Sequence, residues 1–461
     1  MISEDTISAI ATPIGESGIG IVRMSGKESF VIARRIFQPS CGKKVNWKTP
    51  FKTHYGWIID PESKELIDEV LLTLMPAPKS YTREDIAEIN CHSGPVPLRK
   101  ILRLTLKLGA RLAEAGEFTK RAFLNGRIDL AQAESVLEVV QAKTEKSLQI
   151  ALNQLKGGLS EKINTLKKKM VDFLSCLEAE IEFGEEDIEH LSRKDEESRL
   201  KDILVQIALL LKTAKRGRVY KEGLKAVIVG RPNVGKSSLL NTLLQRERAI
   251  VSHTPGTTRD TIEEMINIKG FPLWIIDTAG LREVEGKIEE EAVRRTHAKL
   301  EEANIILLMV DGSLPLEKED ISIFERMEKE KTLLVVNKID LPQRIDKERI
   351  ESFFPGQEVV EISATEEINL EKLKERTAEF ALKEATLSSS DSLILSIRQE
   401  QALEQARQNV ERALLGIRGK LSEELIAFDL REAIDRLGEI TGEVVADDIL
   451  DQIFSHFCIG K

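Results

Sequence analysis

Between Gly230 and Ser237 the chain reads Gly-Arg-Pro-Asn-Val-Gly-Lys-Ser, the G-x-x-x-x-G-K-S spacing that cradles phosphate. Glycines at both ends let backbone N–H groups curl around phosphate oxygens, and a helix opening at Lys236 adds its N-terminal dipole. Lys236 is placed to reach the β and γ oxygens, and Ser237 to supply a magnesium ligand. Asn233, Val234, Gly235 and Ser238 complete the expected loop contacts. Asp277, Thr278, Ala279 and Gly280 follow an apolar run. An Asp there holds magnesium directly or through water, and the Gly280 N–H can meet the γ-phosphate. Asn337-Lys338-Ile339-Asp340 selects guanine, because Asp340 accepts from the ring N–H and the amino group together, a pattern adenine lacks. Ser363, Ala364 and Thr365 are expected to support that contact through the Ala364 N–H. Thr257 and Thr258 fall between the phosphate loop and Asp277, where a switch segment reaches magnesium. Together these residues imply a chain that binds and hydrolyses GTP. Leu281 follows Gly280 and cannot hydrogen-bond, so the attacking water must be oriented by another group.

Such motifs work only at the ends of strands in an open α/β sheet. Short apolar runs stand where they are needed: Ala226–Val229, Leu273–Ile276, Ile305–Val310, Leu333–Val336 and Val359–Ile362. Their alternation with helical stretches predicts a parallel sheet over residues 218–384 with helices on both faces. Residues 1–120 mix strand-like runs (Ile19–Met24, Glu69–Leu74) with a helical stretch, Pro97–Leu108, and are read as a small α/β domain. From 121 to 217 apolar residues step by three and four: Leu148, Leu152, Leu155, Leu159, Ile163, Leu166, Met170, Phe173, Leu177 and Ile181. That stripe predicts one long helix, weakened at Gly157-Gly158. After a Ser-rich junction, helix returns through residues 385–461. The expected fold is therefore a P-loop GTPase domain inserted in an α-helical domain, preceded by the N-terminal α/β domain.

Composition narrows the function classes. The chain has 461 residues, 41% hydrophobic and 31% charged, with a net charge of −10. Residues 1–130 carry 19 Lys and Arg against 15 Asp and Glu, whereas residues 385–461 carry 8 against 14. No segment has the strongly basic footprint of an autonomous nucleic-acid binder. No apolar run approaches a membrane span, and the first residues resemble neither a signal nor a transit peptide, so the expected location is cytoplasmic. The four cysteines, Cys41, Cys91, Cys176 and Cys458, have no paired spacing and predict neither zinc site nor disulfide framework.

Outside the GTPase segment the chain resembles the MnmE (TrmE) family of tRNA-modification GTPases. The resemblance lies in Asp5-Thr6-Ile7, Ala11-Thr12-Pro13, Ile21-Val22-Arg23, Ser80-Tyr81-Thr82 and Glu88-Ile89-Asn90-Cys91-His92. It continues through Gly116–Phe123, Asn125–Leu130, Gln132-Ala133-Glu134 and the terminal Phe457-Cys458-Ile459-Gly460-Lys461. It implies an N-terminal domain that dimerises and binds a 5-formyl-tetrahydrofolate-type cofactor through Arg23, Glu88, Arg127 and Lys461. It implies a flavoprotein partner, MnmG (GidA), in a heterotetramer. With it the chain would install an aminomethyl-type (carboxymethylaminomethyl) group at carbon 5 of the wobble uridine of certain tRNAs, and Cys458 is a candidate for that chemistry. It also implies a potassium ion on Asn233, Ser252, Thr254 and Thr257, magnesium on Ser237 and Thr258, and Glu289 as the residue that orients water. Arg127 stands where the family often has Lys, exchanging a point charge for a planar fork. Ser93 replaces a common Gly, and Ser396-Ile397-Arg398-Gln399 a frequent Asn-Ala-Arg-His, so that segment is given no role.

Plainer readings stand beside these. Arg23 and Glu88 could be ordinary surface charges, Cys458 an inert terminal thiol, His92 structural, and the acidic run Glu185–Glu189 a solvated face. A different functional class, a ribosome-associated assembly GTPase acting as an RNA-binding switch, would carry an appended basic RNA-binding unit. The C-terminal segment here is acidic.

Overall fold

The computed structural model describes residues 5–40, 45, 47, 51–182, 192–247, 263–276, 300–381 and 393–461. The chain forms two compact units. Residues 1–137, 154–188 and 422–461 make the first, and residues 138–153 and 189–421 the second. Among the described residues no helix is long and apolar enough to cross a membrane.

The first unit is built on a seven-stranded sheet of β1 (Ile7–Ile10), β2 (Ser17–Ser25), β3 (Phe37–Pro39), β4 (Lys52–Ile59), β5 (Leu66–Met75), β6 (Ile86–Ser93) and β7 (Arg111–Leu112). The order is β3-β4-β5-β6-β2-β1-β7, antiparallel except for the β1–β7 pair. Alternate residues decide its two faces. Val22, Met24, Leu72, Leu74, Ile89 and Cys91 turn into a core closed by Ile32 from helix Ser29–Ile36 and by Leu98 and Ile101 from helix Pro95–Lys107. The residues between them face the other way. Arg23 and Glu88 are direct register partners on that second face.

The Gly116–Phe123 stretch opens helix Glu117–Leu124, with Gly116 at φ 67. Two of its charged residues are buried: Arg121 is 5% exposed and Glu117 7%. Arg121 donates to the Asp5 carboxylate at 2.6 Å, to Glu117 at 2.9 Å and to Glu84 at 3.2 Å, while Arg111 pairs with Glu117 at 2.6 Å. Burial works against the Glu117 charge, but Arg111, the Glu114 N–H and Arg121 outweigh it and hold its carboxyl below the ordinary range. The stretch is thus the ionic knot of the domain.

The predicted long helix over Leu148–Ile181 is two helices, Glu145–Leu155 and Gly158–Glu182. Gly157 takes φ 101, a left-handed conformation that ends one helix and starts the next. Leu159, Ile163, Leu166, Met170, Phe173 and Leu177 are buried as the stripe required, but Leu152 and Ile181 are exposed. Helix Gly158–Glu182 packs on Glu423–Thr441 within the first unit, and Arg193–Glu222 packs on Ile397–Gly419 within the second. The Ser396-Ile397-Arg398-Gln399 segment now has a role. Ser396 caps helix Ile397–Gly419, and its side chain and that of Gln399 exchange bonds with each other's backbone N–H.

The second unit carries a six-stranded sheet: β8 (Leu224–Val229), β9 (Glu263–Ile268), β10 (Phe271–Ile276), β11 (Ile305–Asp311), β12 (Thr332–Asn337) and β13 (Val359–Glu361). The order is β13-β12-β11-β8-β10-β9, parallel except for β9. Every apolar run predicted as a strand is one; β9 is an added antiparallel edge. Both faces are covered. Ala226, Ile228, Leu307, Met309 and Val335 pack with Leu239 and Leu243 of helix Lys236–Glu247 and Leu370 and Leu373 of helix Leu370–Ala381. Val227, Ile306, Leu308, Leu334 and Val336 pack with Phe324 of helix Lys318–Arg326 and Ile350 of helix Lys347–Phe353.

Candidate functional site

The phosphate loop leaves β8 at Gly230, whose φ of 154 brings its backbone so close to β11 that a Cβ would lie 2.3 Å from the Met309 oxygen. Asn233 and Gly235 follow at φ 65 and 103, and a Cβ on Gly235 would lie 2.1 Å from the Asn337 side-chain nitrogen. Glycine at 230 and 235 is therefore a requirement of both curvature and space. Helix Lys236–Glu247 begins at the end of the loop, so its free N–H groups face the same concavity. The Lys236 ammonium donates to the Gly230 and Arg231 carbonyls, each at 2.7 Å. Val234 is buried.

Asn337, at the end of β12, is 2% exposed and acts as a strut. Its Nδ2 donates to the Val234 carbonyl at 2.8 Å, and its Oδ1 accepts from the Ala364 N–H at 3.0 Å. One side chain thereby fixes the spacing between the phosphate loop and the loop after β13. The Ala364 N–H serves Asn337 here. The same loop is closed by Thr242, which donates to the Ala364 carbonyl at 3.0 Å, and by Ser363 Oγ, 3.4 Å from Thr365 Oγ1. Lys338, at φ 65, turns its ammonium onto Asp311 at 2.5 Å, and Asp340 is exposed.

Asp311 and Arg231 are functional neighbours that the motifs did not single out. Asp311 ends β11 one residue past the predicted run and is 6% exposed. Burial opposes its charge, but Lys338, the Ser313 hydroxyl and the Ser313 N–H hold its carboxyl below the ordinary range. Arg231 ties the phosphate loop to the start of helix Lys318–Arg326 through Glu317 at 2.6 Å and the buried Asp320 at 2.8 Å. An acid at a strand end was the available signal for Asp311; no local pattern pointed to Asp320.

Replacing Asn337 by Ala should weaken GTP binding by roughly 30-fold or more, because two buried backbone groups lose their partner at about 1–3 kcal/mol each and 1.4 kcal/mol is tenfold. Titration with a fluorescent guanine nucleotide measures this. Native affinity would mean that the two loops keep their spacing without the strut.

The first unit holds a second constellation. Arg23 Nε donates to Glu88 at 2.7 Å, and its Nη1 reaches the Gly460 carbonyl at 3.2 Å. The chain end is threaded in beside them. Ile459 pairs with Ala115 as an isolated β-bridge, and the Phe118 N–H donates to the Lys461 carbonyl at 3.2 Å. Gly460 has φ 94, and a Cβ there would lie 2.6 Å from the Ile10 oxygen, so only glycine passes. Arg23 stands 5.6 Å over the Phe118 ring, and Arg127 stands 4.6 Å over Tyr81, which packs on the cluster containing Phe118. Cys458 is exposed. Cys91 is not a rival nucleophile: burial, reinforced by the Asp68 charge, pushes its thiol up to about 12. His92 pairs with Asp68 at 2.7 Å, on the opposite end of β6 from Glu88.

The predicted residues thus divide. Asn233, Val234, Gly235, Lys236, Ser237, Ser238, Asn337, Lys338, Asp340, Ser363, Ala364 and Thr365 lie at the C-terminal ends of β8, β12 and β13, in the three loops there or in the element that borders each loop. Arg23, paired with Glu88, meets the tail at Gly460, between Cys458 and Lys461 in sequence. Ser252, Thr254, Thr257, Thr258, Asp277, Thr278, Ala279, Gly280 and Glu289 lie outside the described residues.

A phosphate loop, a buried Asn strut and a base-side loop on one edge of a parallel sheet define a P-loop GTPase domain. Family models for the "MnmE helical domain" and the "GTP-binding protein TrmE N-terminus" match residues 130–458 and 6–127. The tRNA modification GTPase MnmE of Alkaliphilus metalliredigens is 47% identical over 461 residues, covering all of both chains. That of Desulforamulus reducens is 46% identical over 460 residues, 99% of this chain and all of that one. The G domain of the T. maritima FeoB iron transporter is 30% identical, over 34% of this chain and 98% of that one, with a TM-score of 0.27. The chain belongs to the MnmE family of tRNA modification GTPases.

Proposed function

We propose that this chain is a GTP-hydrolysing enzyme of tRNA modification. With a flavoprotein partner, MnmG, it installs a carboxymethylaminomethyl-type group at carbon 5 of the wobble uridine, in the cytoplasm and as a homodimer. The observation that carries this reading is the meeting of Arg23, Glu88 and the terminal Cys458–Lys461 in a unit distinct from the one that holds the phosphate loop. A GTP switch alone would have no need of it. The donor set suits a folate: guanidinium and ammonium groups for carboxylates and carbonyls, a carboxylate for pterin N–H groups, aromatic rings beside them, and a thiol at the edge. When bound, such a cofactor supplies a one-carbon unit; Arg23, Glu88, Arg127 and Lys461 would hold it, and Cys458 would stand near the unit. We assign residues 1–120 to cofactor binding and dimerisation, 218–384 to the GTPase, and 121–217 with 385–461 to a helical domain. Mass spectrometry of wobble uridines from cells lacking the protein tests the function. Unchanged uridines would overturn it.

In the GTPase domain Ser237 would hold magnesium with Thr258 and Asp277. Asn233 projects from the phosphate loop at a position suited to a monovalent cation, with Ser252, Thr254 and Thr257 as the further ligands of a potassium ion. GTP hydrolysis is then expected to run much faster in potassium than in sodium. In Asn233→Ala that preference should shrink while nucleotide binding survives. A phosphate-release assay in the two salts reads it directly; equal rates for the native chain would remove potassium from the mechanism.

A further inference from the structure

The β9–β10 hairpin occupies the free edge of the GTPase sheet and turns at Lys269 and Gly270, at φ 48 and 97. In sequence, Thr258 lies shortly before β9 and Asp277 directly follows β10. Both segments expected to sense the nucleotide therefore adjoin this one hairpin in sequence. Its turn is gripped by residues more than a hundred positions earlier. Thr144 Oγ1 donates to the Gly270 carbonyl at 2.7 Å, and a Cβ on Gly270 would lie 3.0 Å from that of Lys146. The Lys143 ammonium stands 4.6 Å over the Trp274 ring, whose Nε1 donates to the Glu222 carbonyl at 2.9 Å. Ile150 is buried in the same cluster as Ile268 and Phe271. Lys221 pairs with Glu138 at 2.5 Å, joining the two flanking segments to each other.

Thr144 has two tasks. It is buried, it exchanges bonds with Ser147 at 3.1 Å each way to cap helix Glu145–Leu155, and it holds the hairpin turn. The pairing of β10 with β8 and β9 closes the sheet without any of these contacts. Their effect is to tie the hairpin to helix Glu145–Leu155, outside the GTPase domain, at the turn, and to helix Arg193–Glu222, whose last residues enter that domain, at Trp274. Packed elements of this kind shift between discrete arrangements and do not deform continuously. A displacement of β9 or β10 caused at their nucleotide ends must then pass to those helices.

We infer that Lys143 and Thr144 are positioning residues that couple the nucleotide-dependent state of the β9–β10 hairpin to the helical flank, and so link GTP hydrolysis to the modification reaction. This rests on the reading that hydrolysis drives the modification, and the test separates the two. In the full chain with Trp47→Phe and Trp57→Phe, Trp274 is the sole tryptophan. Its emission should change between GDP and GDP with aluminium fluoride, and Lys143→Met should diminish that change while Lys143→Arg preserves it. With the native tryptophans, Lys143→Met and Thr144→Val should keep GTP turnover yet lose about tenfold in wobble modification. Three results would each overturn the inference: Trp274 emission indifferent to nucleotide, modification at native rate in both variants, or GTP turnover falling in step with modification. If the native chain modifies no uridine, the functional reading fails, and the Trp274 response still decides the coupling.

Discussion

Deleting Cys458–Lys461 is expected to abolish wobble modification while leaving GTP hydrolysis largely intact. The tail closes the Arg23–Glu88 constellation through the Gly460 carbonyl and is pinned by the Ala115–Ile459 bridge and the Phe118 N–H. None of these contacts involves the phosphate loop. Removing Lys461 also removes its ammonium from any anionic ligand there. A hydrogen bond to a charged group is worth about 1.5–3 kcal/mol, so folate affinity should fall by roughly 10- to 100-fold. Glu88→Ala should weaken the same ligand at a different point and leaves Arg23 without its 2.7 Å partner. Calorimetric titration of 5-formyl-tetrahydrofolate into both variants, beside a tRNA modification assay, measures the effect. Native affinity in both would move the cofactor site elsewhere, and modification surviving the deletion would remove Cys458 from the chemistry.

The second large effect concerns the attacking water. Leu281 has no polar side-chain atom with which to orient it, and the family resemblance implies Glu289 for that task. Glu289→Ala should lower turnover by about 10²-fold or more, the scale of losing a positioned acid–base group. GTP affinity should hardly move, because the phosphate loop, Asn337 and Asp340 are untouched. Single-turnover hydrolysis with saturating enzyme separates the two quantities. An unaltered rate would exclude Glu289 from the step.

Much of this was legible before any coordinates. The G-x-x-x-x-G-K-S loop, the N-K-x-D loop and the apolar runs before them are local signals, and local signals declare strand ends because apolar runs and glycine turns carry their own conformational preferences. The sheet, its helices on both faces and the residues of the three loops followed from them. The ending Cys458-Ile459-Gly460-Lys461 was recognisable as a pattern, but its reason was hidden. Only the fold shows that Gly460 must lie against Ile10 and that its carbonyl meets Arg23. The break at Gly157 was underestimated because an apolar stripe of constant period looks the same whether one helix carries it or two. The strut is hidden for a like reason: the partners of Asn337, Val234 and Ala364, stand 103 and 27 positions away. Asp320 under Arg231 and Thr144 under Gly270 were equally silent. Spacing along the chain determined which residues could do chemistry. Which polar groups had to pair was decided by burial, since desolvation makes an unpartnered group costly only once the tertiary structure has taken water away from it.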